Sequence, residues 1–228
     1  MSSQVTQSKV KAFAVNNTML FFAVILFAAC MIGVPRFATG GNLMNILIQV
    51  SINALIACGM TFVILSDGID LSVGSVAAIA GVAGASLIKQ MPDAGIAACI
   101  AVILVTAVVV GTICGSINGF CIAKLNVPPF IATLAMMNAA RGLAYVFTDA
   151  KPVFGLPDSF GWVGLRSIGV IPVSIVLMVI VIGLSYLVLY KTCFGRYIYA
   201  VGSNKEVAKL TGINVTMTRF SVYVISGI

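Results

Sequence analysis

At 228 residues the chain is long enough for one or two soluble domains, yet its 61% hydrophobic and 8% charged residues, with a mean hydropathy of +1.14, exclude that class. Ordinary globular chains carry roughly 25% charged residues and about 45–50% apolar ones, and disordered chains are poorer still in apolar residues. The 13 Lys and Arg against 6 Asp and Glu give a net charge of +7; these cations are sparse, flank apolar runs and form no patch interleaved with aromatics, which excludes nucleic acid and points to membrane orientation.

Residues 1–17 are polar and carry Lys9 and Lys11. Residues 18–34 form the first apolar run. No small-x-small cleavage site follows it, so it reads as a retained span and not a signal peptide. The second run, 43–65, has 23 residues, about 35 Å of helix and enough for a hydrocarbon core of ~30 Å. It carries Asn45, Gln49, Ser51, Asn53 and Thr61, so its polar side is expected to face protein or water. The third run is 71–88, the fourth 95–123, the fifth 130–148 and the sixth 168–190, with Pro172 near the start of the last, where proline is tolerated. The seventh, 220–228, is nine residues long, too short to cross where about 20 are needed. The predicted fold is therefore all-α: a polytopic integral membrane protein with six complete spans and the start of a seventh, in a C-terminally truncated chain.

Orientation follows from Lys and Arg. With the N-terminus in the cytoplasm, the inner segments hold eight (Lys9, Lys11, Lys124, Lys191, Arg196, Lys205, Lys209, Arg219) and the outer loops four (Arg36, Lys89, Lys151, Arg166). That excess favours a cytoplasmic N-terminus and a cytoplasmic 191–219 segment.

Four features carry mechanism. The stretch 203–212 reads as a short helix: Ser203 and Glu206 have capping-box spacing, and Gly212 supplies a left-handed stop. Val207 and Leu210 share one face, with Lys205 and Lys209 near the other. A helix this short is marginal alone. It rests either on its own membrane domain or lipid headgroups, or it docks a soluble partner. Next, Asp67 and Asp70 stand at the junction of the second and third runs. Asp70 or Ser72 either caps the third helix or marks an interrupted helix near a transport path. Third, Gly111, Gly115 and Gly119 lie four apart on one helix face, a close-packing pattern. Fourth, Arg141, near Asn138 inside the fifth run, is costly in hydrocarbon and calls for an acid, carbonyls or a wet cavity. Asp67 and Asp149 are its candidate partners.

The absences narrow function further. There is no histidine, so no imidazole metal site and no Ser-His or Cys-His pair. Cys30, Cys58, Cys99, Cys114, Cys121 and Cys193 show no C-x-x-C spacing and read as small apolar residues, not a metal site or disulfide framework. No G-x-x-x-x-G-K-[ST] loop is present, so ATP, if used, binds elsewhere. G-x-S-x-G and H-E-x-x-H are absent too, which leaves an intramembrane enzyme without support.

Three stretches, GMTFVILSDGIDLSVGSV (59–76), NVPPFIATLAMMNAARGLAYVF (126–147) and CFGRYIYAVGSNKEVAKLTGINV (193–215), resemble the membrane permease subunit of bacterial sugar ABC importers, in the ribose/xylose/arabinose/galactoside branch. The resemblance runs from about residue 20 to the end of the chain. It implies a cytoplasmic tail (1–17) and a single, incomplete transmembrane permease domain (18–228) in the bacterial inner membrane. Within that domain, 191–219 is the coupling loop to the ATPase, and Gly195, Arg196, Ser203, Asn204, Glu206, Val207, Leu210 and Gly212 are its docking residues. The resemblance also implies partners: two cytoplasmic ATPase subunits that hold ATP and Mg, a second permease subunit and an extracytoplasmic sugar-binding protein. The permease itself holds no cofactor and is not an enzyme. Most members have Gly where Asp67 stands here (GGIDLSVG), which makes Asp70 the better candidate for a general role. Members are also longer chains. Neutral sugars call for weak, dispersed hydrogen bonds. The expected pathway and gating residues are therefore Asn53, Thr61, Asp70, Ser72, Asn118, Asn138 and Arg141. The rival readings are a branched-chain amino-acid-type permease and a carrier that needs no ATPase.

Overall fold

The computed structural model describes residues 17–165, 167, 168 and 171–228. Lys9, Lys11 and Arg166 of the charge count lie outside the described residues. Ten helices occur among them: α1 (Thr18–Gly33), α2 (Gly40–Leu65), α3 (Val73–Lys89), α4 (Ile96–Ala123), α5 (Pro129–Thr148), α6 (Asp158–Leu165), α7 (Val173–Lys191), α8 (Cys193–Ser203), α9 (Lys205–Leu210) and α10 (Val215–Gly227). One short antiparallel pair, β1 (Ser167–Ile168) with β2 (Ile171–Pro172), joins α6 to α7.

Among the described residues four helices are long and apolar enough to cross a membrane: α2, α4, α5 and α7. The chain is thus a multi-pass helical membrane protein. The other two expected spans form shorter helices, α1 with 16 residues and α3 with 17, or about 24–26 Å against a core of ~30 Å. The start of the sixth run also differs. Ile168 pairs with Ile171 and Ser167 with Pro172, and Pro172, which has no N–H to place in a helix interior, precedes the first residue of α7.

The described residues fall into two compact units, divided within α2 after Gln49. In the first, α1 has no buried residue. Phe27 and Phe37 pack edge to face at 5.3 Å, and the Asn42 side chain donates to the Phe37 carbonyl oxygen at 2.8 Å.

In the second unit α4 is the central strut. It packs against α3, α5, α6 and α10. The α10 side is closed by the glycine face of α4: a methyl on Gly115 would stand 2.5 Å from the Tyr223 carbonyl oxygen, one on Gly119 2.9 Å from that of Phe220, and one on Gly111 would overlap the Gly227 carbonyl. A buried cluster of Phe62, Val63, Ile122, Leu189, Ile198, Val222 and Tyr223 joins α2, α4, α7, α8 and α10. A second, of Val76, Ile79, Ala140 and Ala144, joins α3 to α5.

The connecting loops fall at two ends of this unit. At one end the Ser159 hydroxyl donates to the Ala94 carbonyl oxygen at 2.6 Å, tying the α3–α4 loop to α6. At the other, Lys205 meets Asp67, and Arg219 reaches Ile122 beside the α4–α5 loop. Segments 66–72, 124–128 and 192–214 therefore share one end, as alternating spans require.

Candidate functional site

At that shared end, α2 stops at Leu65 and α3 begins at Val73. The turn between them buries Ser66, Asp70 and Ser72 and leaves Asp67 exposed. Asp70 is the hub. One carboxylate oxygen accepts from the Ser72 backbone N–H at 2.9 Å and from the Ser72 hydroxyl at 2.6 Å. The other accepts from the Ser226 hydroxyl of α10 at 3.2 Å. The Asn118 amide of α4 in turn donates to the Ser72 hydroxyl oxygen at 2.9 Å. No cation pairs with Asp70 among the described residues; three donors and the positive N-terminal end of α3 compensate its charge. Ser72 occupies the N-cap position of α3 but makes no side-chain cap bond. Tyr223 closes the turn: its hydroxyl donates to the Ile69 carbonyl oxygen at 3.4 Å, and a methyl on Gly68 would lie 2.5 Å from the same hydroxyl.

Beside this turn lies the polar segment. Thr192 caps α8, its hydroxyl oxygen accepting from the Gly195 N–H at 3.2 Å. Arg196 donates to the Cys193 sulfur at 2.9 Å. Ile198 and Val201 are fully buried and carry α8 through Ser203. This corrects the expected capping box. Ser203 is the last residue of α8, and Asn204 leaves the helix with φ −159° and ψ 113°. Its side-chain oxygen accepts from the N–H groups of Glu206 and Val207 at 2.9 and 3.0 Å. The short helix is thus the six residues Lys205–Leu210, not 203–212. Gly212 ends it at φ +85°, with Gly212 N–H to the Lys209 carbonyl and Ile213 N–H to that of Ala208, the paired bonds of a Schellman stop. Ala208 faces inward at 2% exposure, while Val207 and Leu210 are 55% and 87% exposed.

Two contacts fix α9 and α8 to the Asp70 turn. Lys205 Nζ lies 2.8 Å from an Asp67 carboxylate oxygen, and Gly202 passes so close that a methyl there would overlap the Leu65 carbonyl oxygen. Asp67 takes a φ of +59°, the left-handed region that glycine enters most easily and that Asp and Asn tolerate.

Of the expected pathway residues, Asp70, Ser72 and Asn118 form this one network. Asn118 also lines a cavity of about 350 Å³ with Ile117, Cys121 and Ile131. The other four lie outside the network. Asn53 and Thr61 share an exposed face of α2, and the Thr61 hydroxyl turns back to the Ala57 carbonyl at 2.7 Å. Asn138 and Arg141 share an exposed face of α5, with the Asn138 amide on the Leu134 carbonyl at 3.0 Å. Of the two expected partners of Arg141, Asp67 pairs with Lys205 instead and Asp149 makes no ion pair among the described residues. Arg141 makes no ion pair among the described residues and lines a cavity of about 280 Å³ with Ser75, Tyr145, Thr148 and Lys151. Ser226 and Tyr223 were not among the expected site residues, and neither was the pairing of Lys205 with Asp67. Asn204, expected as a docking residue, is instead the cap of α9, a role its place just before a helix signals.

The arrangement has a buried polar turn and close-packed helices and, among the described residues, no nucleophile paired with a base. Residues 42–228 match the family described as branched-chain amino acid transport system, permease component. The chain belongs to this permease family. It is 38% identical to the ribose import permease protein of Haemophilus influenzae, over 100% of this chain and 70% of that one. It is 40% identical to the ribose import permease protein of Escherichia coli K12 over 96% of this chain and 67% of the relative. The L-arabinose transport system permease protein of the same organism is also 40% identical, over 92% of this chain and 62% of its own. No solved structure matches the chain. The chain is therefore a transmembrane permease component of a transport system and not an enzyme.

Proposed function

We propose that the chain is the permease subunit of an ATP-driven sugar importer in the bacterial inner membrane. It crosses six times before α10, with its N-terminus and the 191–219 loop in the cytoplasm. ATP and Mg act on a separate ATPase that docks on α9, a second permease subunit completes the pathway, and an extracytoplasmic binding protein delivers the sugar.

The observation that carries this reading is the exposure of Val207 and Leu210 on a capped, six-residue helix. Too short to be stable alone, it is held to the body through Ala208 and Lys205 while its apolar side chains stand free. Such side chains suit the core of a protein–protein interface. Closure of the ATPase pair pushes α9. The Lys205–Asp67 pair and the Gly202–Leu65 approach pass that displacement to the 66–72 turn, and Asp70 hands it to α4 through Ser72 and Asn118 and to α10 through Ser226. The helices then shift as bodies and open the pathway to alternate sides. The polar faces Asn53–Thr61 and Asn138–Arg141 line that pathway and offer a neutral sugar dispersed hydrogen bonds.

The double substitution Val207→Asp and Leu210→Asp tests the docking. It is expected to abolish co-purification of the ATPase while membrane insertion stays at the wild-type level; unchanged co-purification overturns the assignment of α9. The amino-acid reading rests on the wording of the family description, whereas the relatives above are named for ribose and arabinose. ATP hydrolysis by the reconstituted importer across pentoses, hexoses and amino acids separates the two. Stimulation by a sugar is expected, and stimulation by an amino acid alone moves the chain to the other branch.

A further inference from the structure

The cleft beside α9 is strongly positive. It measures about 1170 Å³, and Lys124, Lys205, Lys209 and Arg219 line it against one acid, Glu206. Lys205 is already paired with Asp67, and the other three have no ion-pair partner among the described residues. Arg219 is the decisive residue. It is only 9% exposed, yet a terminal guanidinium nitrogen reaches just the Ile122 carbonyl oxygen at 3.5 Å, and its Nε is buried with no partner. A guanidinium has five N–H donors, and leaving them unmet in a buried place is costly. Val215 and Thr216 line the same cleft at the N-terminus of α10, where the Asn214 side chain accepts from the Met217 N–H and the helix dipole is positive. A buried guanidinium, a helix N-terminus and two unpaired lysines thus converge on one space.

We propose that this cleft binds the phosphate of an anionic lipid headgroup. Phosphate oxygens suit the planar fork of Arg219 and the point charges of Lys124 and Lys209. The source follows from position. Lys124 stands just past the end of α4, and its Nζ lies 5.5 Å from the centroid of the Phe120 ring. Phe120 is 45% exposed on that membrane-length helix, so the cation sits against an outward-facing aromatic at the very end of a span, the depth at which lipid headgroups lie. Basic pockets at the ends of membrane helices are of the kind that hold anionic lipids. The inference needs α4 to span the membrane. It does not depend on which face is cytoplasmic.

Native mass spectrometry of the detergent-purified chain, without any ATPase, tests it with three probes: phosphatidylglycerol, phosphatidylcholine and inorganic phosphate. Phosphatidylglycerol is expected to bind in preference to phosphatidylcholine. The combined Lys124→Gln and Lys209→Gln variant is expected to weaken it by roughly fivefold for each lysine removed. Because Arg219 is buried and its replacement could disturb folding, the lysine variant is the primary test, and its melting curve verifies that it is folded. Inorganic phosphate competing as well as the lipid would overturn the lipid source and leave a free-anion site. Equal lipid binding by the wild type and the lysine variant would overturn the site itself.

Discussion

Along the α4–α10 seam, backbone meets backbone: Gly111, Gly115 and Gly119 leave no room for a methyl against Gly227, Tyr223 and Phe220. At α9, by contrast, six residues are held by one capping side chain, one inward alanine and one exposed ion pair. The difference follows from the solvent each region meets. Helices in lipid gain little from hiding apolar surface and associate through close packing of small residues. A segment in water can instead be held by caps and charges that are weak, local and reversible. The seam is therefore the stiff part and α9 the adjustable part.

The largest expected effect lies on the seam. Gly115→Leu forces a side chain into a space where a methyl already stands 2.5 Å from the Tyr223 carbonyl. Overpacking of this kind costs about 3 kcal/mol, read as a lowered melting temperature in detergent. Gly183→Leu on α7 is the control, since nothing lies within 4 Å of a methyl there. It is expected to be neutral or to stabilise by up to ~1 kcal/mol through helix propensity. Equal losses at the two positions would erase the contrast between seam and lipid-facing helix.

The seam also shows what the sequence could disclose. Membrane-length runs are legible because lipid selects composition over a whole helix, and runs 95–123 and 130–148 begin and end within a residue of α4 and α5. The four-residue spacing of glycines showed that α4 is approached closely, but not that α10, a hundred residues on, is the partner. Asp70, Asn118 and Ser226 were similarly scattered: the bonds that gather them span 46 and 156 residues, and no local periodicity encodes such pairings. The cap was ambiguous for a different reason. Ser203 and Asn204 both form caps, and the choice depends on where α8 stops, which burial of Ile198 and Val201 decides.

That choice gives the next contrast. Asn204→Ala removes the acceptor for two N–H groups of α9 and is expected to cost ~1 kcal/mol of local stability. Faster amide hydrogen exchange across 205–210 would report it. Ser203→Ala, at the end of α8, is expected to leave that exchange unchanged. The reverse ranking would restore Ser203 as the cap and extend α9 to the boundaries expected from sequence.

The smallest effect belongs to Asp67→Gly. The ion pair it removes is exposed, at 39% for Lys205 and 67% for Asp67, and such pairs contribute roughly 0.2–1 kcal/mol. Against that loss, glycine enters the left-handed region at φ +59° without the steric cost a side chain incurs there. The two changes oppose each other, so the net shift in melting temperature is expected to be near zero. Salt separates them, because added ions screen the pair and leave the backbone preference untouched. Lys205→Gln removes the pair alone, so it is expected to destabilise slightly at low salt and to match the wild type at high salt. Asp67→Gly is then expected to exceed the wild type at high salt. A large, salt-independent loss in Asp67→Gly would instead mean that the 66–72 turn depends on the Asp67 side chain for its shape, and the soft attachment of α9 would have to be moved elsewhere.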